Sequence, residues 1–171
     1  MKVELKPLEI NERENFIKDL QEAFRVAAIE EFGESDEEII TKNEIEESLN
    51  AKGSQTFRIT KDGENVGGII ICINEETQCN SLELFFVNQN CQSEGVGLKA
   101  WRLCEEKFPQ TKIWETVTPY FEKRNIHFYV NRCGFKIVEF FNPRHKDSNM
   151  PESIDREDME YFFRFEKKMI D

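Results

Sequence analysis

Leu82-Glu-Leu-Phe-Phe-Val87-Asn-Gln-Asn-Cys91-Gln92-Ser-Glu-Gly95-Val-Gly97-Leu-Lys-Ala-Trp101-Arg-Leu-Cys-Glu-Glu-Lys-Phe108 opens as an apolar, strand-like run. It passes through a polar turn holding two glycines and continues as an amphipathic helix. Leu98, Trp101, Leu103, Cys104 and Phe108 fall near the three-to-four spacing of one helical face. Strand, glycine turn and helix in that order gather free backbone N–H groups and the positive end of the helix dipole at one point, which suits an anion. Gly95 and Gly97 carry no Cβ, so a phosphate can approach the main chain closely. A Walker loop is excluded because Gly97 is followed by Leu98-Lys99-Ala100. A dinucleotide fingerprint is excluded because it needs three spaced glycines and two are present.

The run Gln92-x-x-Gly95-x-Gly97 resembles the Gln/Arg-x-x-Gly-x-Gly/Ala signature of the GNAT superfamily of N-acetyltransferases. That family holds the pyrophosphate of acetyl-coenzyme A at such a turn. The resemblance implies coenzyme contacts from Gln92, Ser93, Glu94, Gly95, Val96, Gly97 and Leu98. It also implies that the pantetheine arm pairs with main chain at the end of the preceding strand, at Phe85, Phe86 and Val87. Glu94 departs from the family, where Lys or Arg is common beside the pyrophosphate. Lys99, on the first helical turn, is a candidate to offset it.

Outward from this centre, Lys2–Leu8 alternates as a first strand closed by Pro7. Asn11 with Glu14 reads as a capping-box start for a helix carrying Phe16, Ile17, Leu20, Phe24, Ala27 and Ala28, stopped by Gly33. Ser35-x-x-Glu38 looks like a second cap, ahead of Ile39, Ile40, Ile45 and Leu49 on one further helix or on two short ones broken near Asn43. Thr56–Thr60 and Asn65–Ile73 are strands joined at Asp62-Gly63, a strong hairpin signal. Gly67-Gly68 inside the second implies a bulge or a close backbone approach. Beyond Pro109, 112–118 reads as a strand, 121–132 as a helix stopped by Gly134, and 135–141 and 159–167 as strands around a long polar segment, 142–158.

This order, β-α-α-β-β-β-α-β-α-β-β, is the GNAT order, so the resemblance covers nearly the whole chain. It implies an α/β (α+β type) fold in one domain spanning 1–171. The expected sheet is mixed, mostly antiparallel, of about seven strands flanked by about four helices, splayed between the fourth and fifth strands.

Asn125-Ile-His-Phe128-Tyr129-Val-Asn-Arg-Cys133-Gly134-Phe135 resembles the family's Phe-Tyr-x-x-x-Gly-Phe ending of the fourth helix. The family's tyrosine is the usual general acid beside the coenzyme sulfur, which assigns Tyr129 that role and a cofactor contact. The chemistry requires such a donor, because a thiolate (pKa ~8.5) must leave once an amine attacks the thioester. Four residues separate Tyr129 from Gly134, where the family has three. The other reading makes Tyr129 a packing residue with its hydroxyl at the surface. Asn125 resembles a coenzyme-contacting asparagine near this helix start, at a shorter spacing than usual. For the base that deprotonates the amine, the candidates are Glu83 on the central strand, working through water, and Glu115 on the following strand. A buried Glu83 would have a raised pKa suited to the task, and an exposed one would be surface.

The totals set limits. The chain has 171 residues, fifteen of them phenylalanine, enough for one buried core. No apolar run approaches ~20 residues, so no membrane span is expected, and the N-terminus lacks a signal-peptide core. Five cysteines without CxxC spacing and two histidines argue against a metal site and for reduced thiols in the cytoplasm. A net charge of −11 argues against nucleic acid. Residues 1–50 hold fifteen Asp/Glu against six Lys/Arg, and the resemblance places the acceptor site at the first two helices and 142–158. Glu30, Glu31, Glu34 and Asp36-Glu37-Glu38 therefore point to a cationic small amine, or else form a solvated face. Cys91 lies beside the motif without a histidine to activate it, so direct attack in a ternary complex is expected. The alternative is a protein of the same fold that binds coenzyme A as a sensor or structural ligand without catalysis. A two-fold homodimer is the default assembly.

Overall fold

Seven strands and four helices are formed by the residues that the computed structural model describes, 1–33, 39–92, 94–148 and 161–169. They fall into two compact units, Met1–Thr111 and Lys112–Asp171. Among the described residues no helix is long and apolar enough to cross a membrane.

In the first unit β1 (Val3–Pro7), β2 (Ser54–Lys61), β3 (Glu64–Cys72) and β4 (Cys79–Val87) pair antiparallel in chain order. The β2–β3 hairpin turns at Asp62 and Gly63, with φ of +50° and +86°. That pair of left-handed residues is the type I′ turn whose twist matches the flanking strands. One face of this sheet packs on α1 (Arg13–Phe32) and α2 (Lys42–Asn50) through Phe16, Ile17, Leu20, Ile45, Leu49, Ile70 and Phe86. The other packs on α3 (Val96–Lys107) through Ile59, Val66, Val87, Val96 and Ala100. Each large side chain so buried contributes about 1.5–3 kcal/mol.

The glycine pair in β3 makes the close approach expected of it. Gly68 lies between Arg58 and Phe86 in the cross-strand row. A Cβ there would stand 2.3 Å from Phe16 Cε2 and 2.7 Å from Phe86 Cε1. Its absence lets the Phe16 ring descend onto the sheet, edge-on to Phe86 at 5.5 Å and beneath the Arg58 guanidinium at 5.1 Å. Gly67 is equally constrained, since a Cβ would meet the Phe86 carbonyl oxygen at 2.2 Å.

Helix starts differ from the sequence reading. Asn11 lies in a 3-10 turn (Ile10–Glu12), and α1 begins behind Glu12 without a side-chain cap. Ser35-x-x-Glu38 lies outside the described residues. Thr41 caps α2 instead: its Oγ1 accepts from the Glu44 N–H at 3.2 Å and donates to the Glu44 carboxylate at 3.2 Å. This side-chain cap lies six residues beyond the expected Ser35, and it leaves Ile39 and Ile40 ahead of the helix. Gly33 ends α1 with φ +81°, as its position required. On α3 the fully buried residues are Val96, Ala100, Trp101 and Cys104, with Leu98 and Leu103 only half-buried.

In the second unit β7 (Phe162–Lys168) lies between β5 (Ile113–Pro119) and β6 (Lys136–Phe141), antiparallel to both. Between β5 and β6 runs α4 (Lys123–His127), continued by a π-helical turn, Phe128–Cys133. Thr116 opposes Phe165 in the register of β5 and β7. The Phe165 ring in turn meets the Tyr129 ring at 5.8 Å, so strand and π turn share one core. The neighbouring positions Glu115, Arg164, Glu166 and Glu139 carry charge. Arg164 donates to Glu139 at 2.9 Å, to Glu115 at 2.9 Å and to Glu166 at 2.6 Å.

Candidate functional site

The end of β4 is fastened to the turn that follows it. Asn88 N–H donates to the Val66 carbonyl at 2.8 Å, and a 3-10 turn, Gln89–Cys91, carries the chain to Gln92. The Gln92 side chain reaches back to the Val87 carbonyl, Nε2 to O 3.2 Å. Phe85, Phe86 and Val87 are paired with Ile69, Gly68 and Gly67 of β3. Ser93 lies outside the described residues.

Gly95 stands at the cap position of α3 with φ +83°, a left-handed conformation that glycine adopts without penalty. It has no side chain to cap the helix. The first intrahelical bond runs from Lys99 N–H to the Gly95 carbonyl at 3.1 Å. The N–H groups of Val96, Gly97 and Leu98 therefore precede the helical ladder and point out of its positive end. A Cβ built on Gly95 would meet nothing within 4 Å, so the space there is open. Open space, unladdered donors and a dipole end fit a diphosphate.

Lys99, on the helix, is exposed, and so is Glu94. Its carboxylate pairs with Lys61 at the end of β2, Nζ to Oε2 2.6 Å. The contact, above all the hydrogen bond that the ammonium donates to Glu94, raises the Lys61 pKa above its ordinary value. Sequence reasoning missed Lys61 because 33 residues separate the partners. The alternation of β2 was the available signal: it places Phe57, Ile59 and Lys61 on one face, and Ile59 is packed against α3.

Tyr129 lies in the second unit and is buried, not a surface hydroxyl. Its ring is edge-on to Phe135 at 5.7 Å and tilted against Phe165 at 5.8 Å and Phe128 at 5.6 Å. Burial pushes the phenol pKa well above its usual value, with Cys133 and Glu122 adding to the rise and a hydrogen bond with Thr116 opposing it. A phenol so placed stays protonated and is a hydrogen-bond donor at neutral pH.

The extra residue before Gly134 is taken up by the π turn. Gly134 N–H donates to the Tyr129 carbonyl five residues back, and Phe135 N–H bonds the same oxygen at 2.9 Å. A π turn holds one residue more than an α turn between donor and acceptor. Gly134, with φ +89°, then closes the helix. Asn125, half-buried, lies one turn before Tyr129 on α4.

The two carboxylate candidates are both at the surface. Glu83 is exposed and accepts from the Ser81 hydroxyl at 2.6 Å. Glu115 is held by Arg164 at 2.9 Å. Of the acidic cluster, Glu30 and Glu31 occupy the last turn of α1, where no basic residue accompanies them. Glu30 accepts from the Gln89 side chain, which ties this end of α1 to the turn after β4. Glu34 and Asp36-Glu37-Glu38 lie outside the described residues, as does the part of 142–158 beyond residue 148. Asn142 and His145 form a tight bridge, and His145 Nε2 contacts Glu139 at 2.6 Å.

The chain was compared with known proteins. Residues 14–135 match the profile of the acetyltransferase (GNAT) family. A Bacillus subtilis (strain 168) protein, YrkN, itself uncharacterized, is 49% identical over 160 residues, 90% of this chain and 86% of the relative. Among solved structures, the PaiA N-acetyltransferase of Thermoplasma acidophilum in complex with coenzyme A superposes with a TM-score of 0.67 at 16% identity, covering 98% of this chain and 99% of that one. A Bacillus subtilis acetyltransferase in complex with CoA gives 0.64 at 15% identity, covering 99% of both chains. These likenesses show the fold: an α/β architecture of seven strands and four helices, as the order of elements implied.

Proposed function

The chain belongs to the acetyltransferase (GNAT) family, and from that premise we propose that it transfers an acetyl group from acetyl-coenzyme A to a primary amine of a small molecule by direct attack in a ternary complex. The observation that carries this reading is the start of α3. Gly95 opens it in a left-handed conformation with free space around it, and the N–H groups of Val96, Gly97 and Leu98 lie ahead of the helical ladder. Gln92 and Ser93 are assigned coenzyme contacts by their place in the motif, and Phe85, Phe86 and Val87 supply the main chain for the pantetheine arm. When bound, the coenzyme supplies the thioester.

Tyr129 is the proposed acid: its phenol, kept protonated by burial, donates to the departing sulfur. Asn125 is assigned a coenzyme contact from the same helix. Glu83 is the proposed base. Glu83 is exposed, so its part is to take the amine's proton through water. The cationic nature of the acceptor is supported by Glu30 and Glu31. Two carboxylates in the last turn of a helix oppose its dipole, and an ammonium substrate would relieve that cost.

Calorimetry with acetyl-coenzyme A tests the reading. Wild type binds, and Gly97→Asp loses binding, because a side chain and a negative charge then occupy the phosphate's place. Aspartate in the first helical turn favours α3 itself, so loss of binding reports on the site and not on folding. Absence of binding by the wild type would end the proposal. Binding without amine-dependent release of free thiol would leave a silent coenzyme A sensor of the same fold.

A further inference from the structure

The register of β2 delivers one side chain to the phosphate turn. Phe57, Ile59 and Lys61 alternate onto the face that carries α3. Phe57 sits by the helix's far end, 6.3 Å from the Phe108 ring and 5.3 Å from the Lys107 ammonium. Ile59 is packed with Val96 and Ala100. Lys61, one step further along the strand, arrives where α3 begins and meets Glu94. The strand's irregularity between Ile59 and Thr60 places the additional residue, Val66, on β3, so the alternation of β2 is undisturbed.

Glu94 is adjacent to Gly95, so a carboxylate stands beside the donors meant for a phosphate. An isolated negative charge there would repel the ligand. The Lys61–Glu94 pair is partly exposed, its side chains 26% and 43% accessible, and a pair of that kind contributes little to stability. Little therefore holds the ammonium to Glu94 alone. A lysine is a compact charge on a flexible stem with three donors, able to serve Glu94 and a second anion together.

We propose that Lys61 is a coenzyme-binding residue: its ammonium bridges Glu94 and the pyrophosphate at the start of α3. The inference rests on the reading that this turn binds coenzyme A, and it adds a ligand contact from a strand outside the Gln92–Gly97 motif. The basic charge common inside the motif in related proteins is here supplied from β2.

A double-mutant cycle separates contact from mere neutralisation. Coenzyme A binding is measured by calorimetry at about 0.15 M salt, where the Debye length of about 8 Å suppresses distant effects. The variants are Lys61→Met, Glu94→Gln and the pair together. Loss of a charged hydrogen bond to phosphate weakens binding by about tenfold to a hundredfold. That loss is expected for Lys61→Met in the wild type and again in the Glu94→Gln background, while Glu94→Gln alone binds at least as tightly as wild type. If Lys61 only neutralises Glu94, the double variant returns to wild-type affinity, and that result overturns the proposal. Lys61→Arg, which keeps charge and reach, is expected to retain most of the affinity and guards against a folding artefact. Dephospho-coenzyme A supplies the second arm. An equal loss with this ligand places the contact on the pyrophosphate, and a loss confined to coenzyme A itself overturns that placement. Failure of the wild type to bind coenzyme A at all would instead defeat the proposed function.

Discussion

Two glycines in the left-handed conformation, Gly95 and Gly134, sit at opposite ends of helices and do opposite things. Gly95 opens α3, and an added Cβ there would meet no atom of the described residues beyond its chain neighbours and its own helix within 4 Å. Gly134 closes the π turn, and the Lys167 side chain lies 3.5 Å from where its Cβ would be. At Gly95 the backbone N–H groups of the first turn precede the helical ladder. At Gly134 they are spent within the chain, where Gly134 and Phe135 both bond the Tyr129 carbonyl. In the proposed function, one glycine makes a site out of main chain, and the other closes the turn that carries Tyr129. A turn needs open donors to bind an anion, and it needs closed ones to hold a phenol in a single orientation.

The largest expected effect tests the fixed side chain. Tyr129→Phe keeps the ring contacts with Phe135 and Phe165 and removes only the hydroxyl. Loss of a positioned general acid lowers turnover by about 10²–10⁴-fold. Steady-state kinetics should show that fall in kcat, with the calorimetric affinity for acetyl-coenzyme A nearly unchanged. An unaltered kcat would reduce Tyr129 to packing and leave the π turn without a catalytic purpose.

A smaller pair of effects separates the glycines themselves. Alanine in the left-handed region costs about 1–2 kcal/mol, so Gly95→Ala and Gly134→Ala should both lower the unfolding free energy by about that much in urea titrations. Their functional signatures should diverge. Gly95→Ala places a methyl in the open space and weakens coenzyme binding, whereas Gly134→Ala leaves binding intact and lowers kcat through Tyr129. The same signature from both would erase the contrast.

The sequence exposed the first of these regions far better than the second. The Gln92–Gly97 turn is local: its strand, glycines and helix are contiguous, and the backbone conformation follows from residue type. The Asp62-Gly63 hairpin and the Gly67-Gly68 approach were legible for the same reason. The π turn was not, because an extra residue between Tyr129 and Gly134 can lengthen a loop, a helix end or a turn, and tertiary packing on Phe165 decides which. The Lys61–Glu94 pair was hidden by 33 residues of separation, although the alternation of β2 carried it in principle. The Thr41-x-x-Glu44 cap was present in the sequence but competed with two similar patterns, Asn11-x-x-Glu14 and Ser35-x-x-Glu38. Spacing alone does not rank such patterns, because the apolar faces that must be buried decide where a helix begins. Strand alternation would set Glu83 on the face opposite both Leu82 and Leu84, but Glu83 is the extra residue of a bulge: Leu84 pairs with Ile70 and Leu82 with the adjacent Ile71, so the two leucines take opposite faces and alternation does not place the carboxylate.

Charge is handled as differently as the glycines are, and this gives the smallest test. Beside Gly95, Glu94 pairs with Lys61. In the second unit Arg164 gathers Glu115, Glu139 and Glu166, and His145 joins Glu139 from the other side. The Glu139 carboxyl is held below its ordinary pKa, by the His145 hydrogen bond first and by Arg164 next. A carboxylate with a depressed folded pKa stabilises the fold above its unfolded value of about 4.3 and loses that contribution as pH falls through the folded one. Glu139→Gln should therefore lower Tm slightly at pH 6–7, and the difference from wild type should shrink below about pH 4. The effect stays small because the group is solvent-screened and Arg164 retains two other carboxylates. The Lys61–Glu94 pair makes the contrast: Glu94→Gln should leave Tm almost unmoved across the same range while coenzyme affinity stays equal to wild type or rises. A pH-independent difference for Glu139→Gln would mean that His145 and Arg164 hold the glutamine as well as the carboxylate, and that this network acts through shape and not through charge.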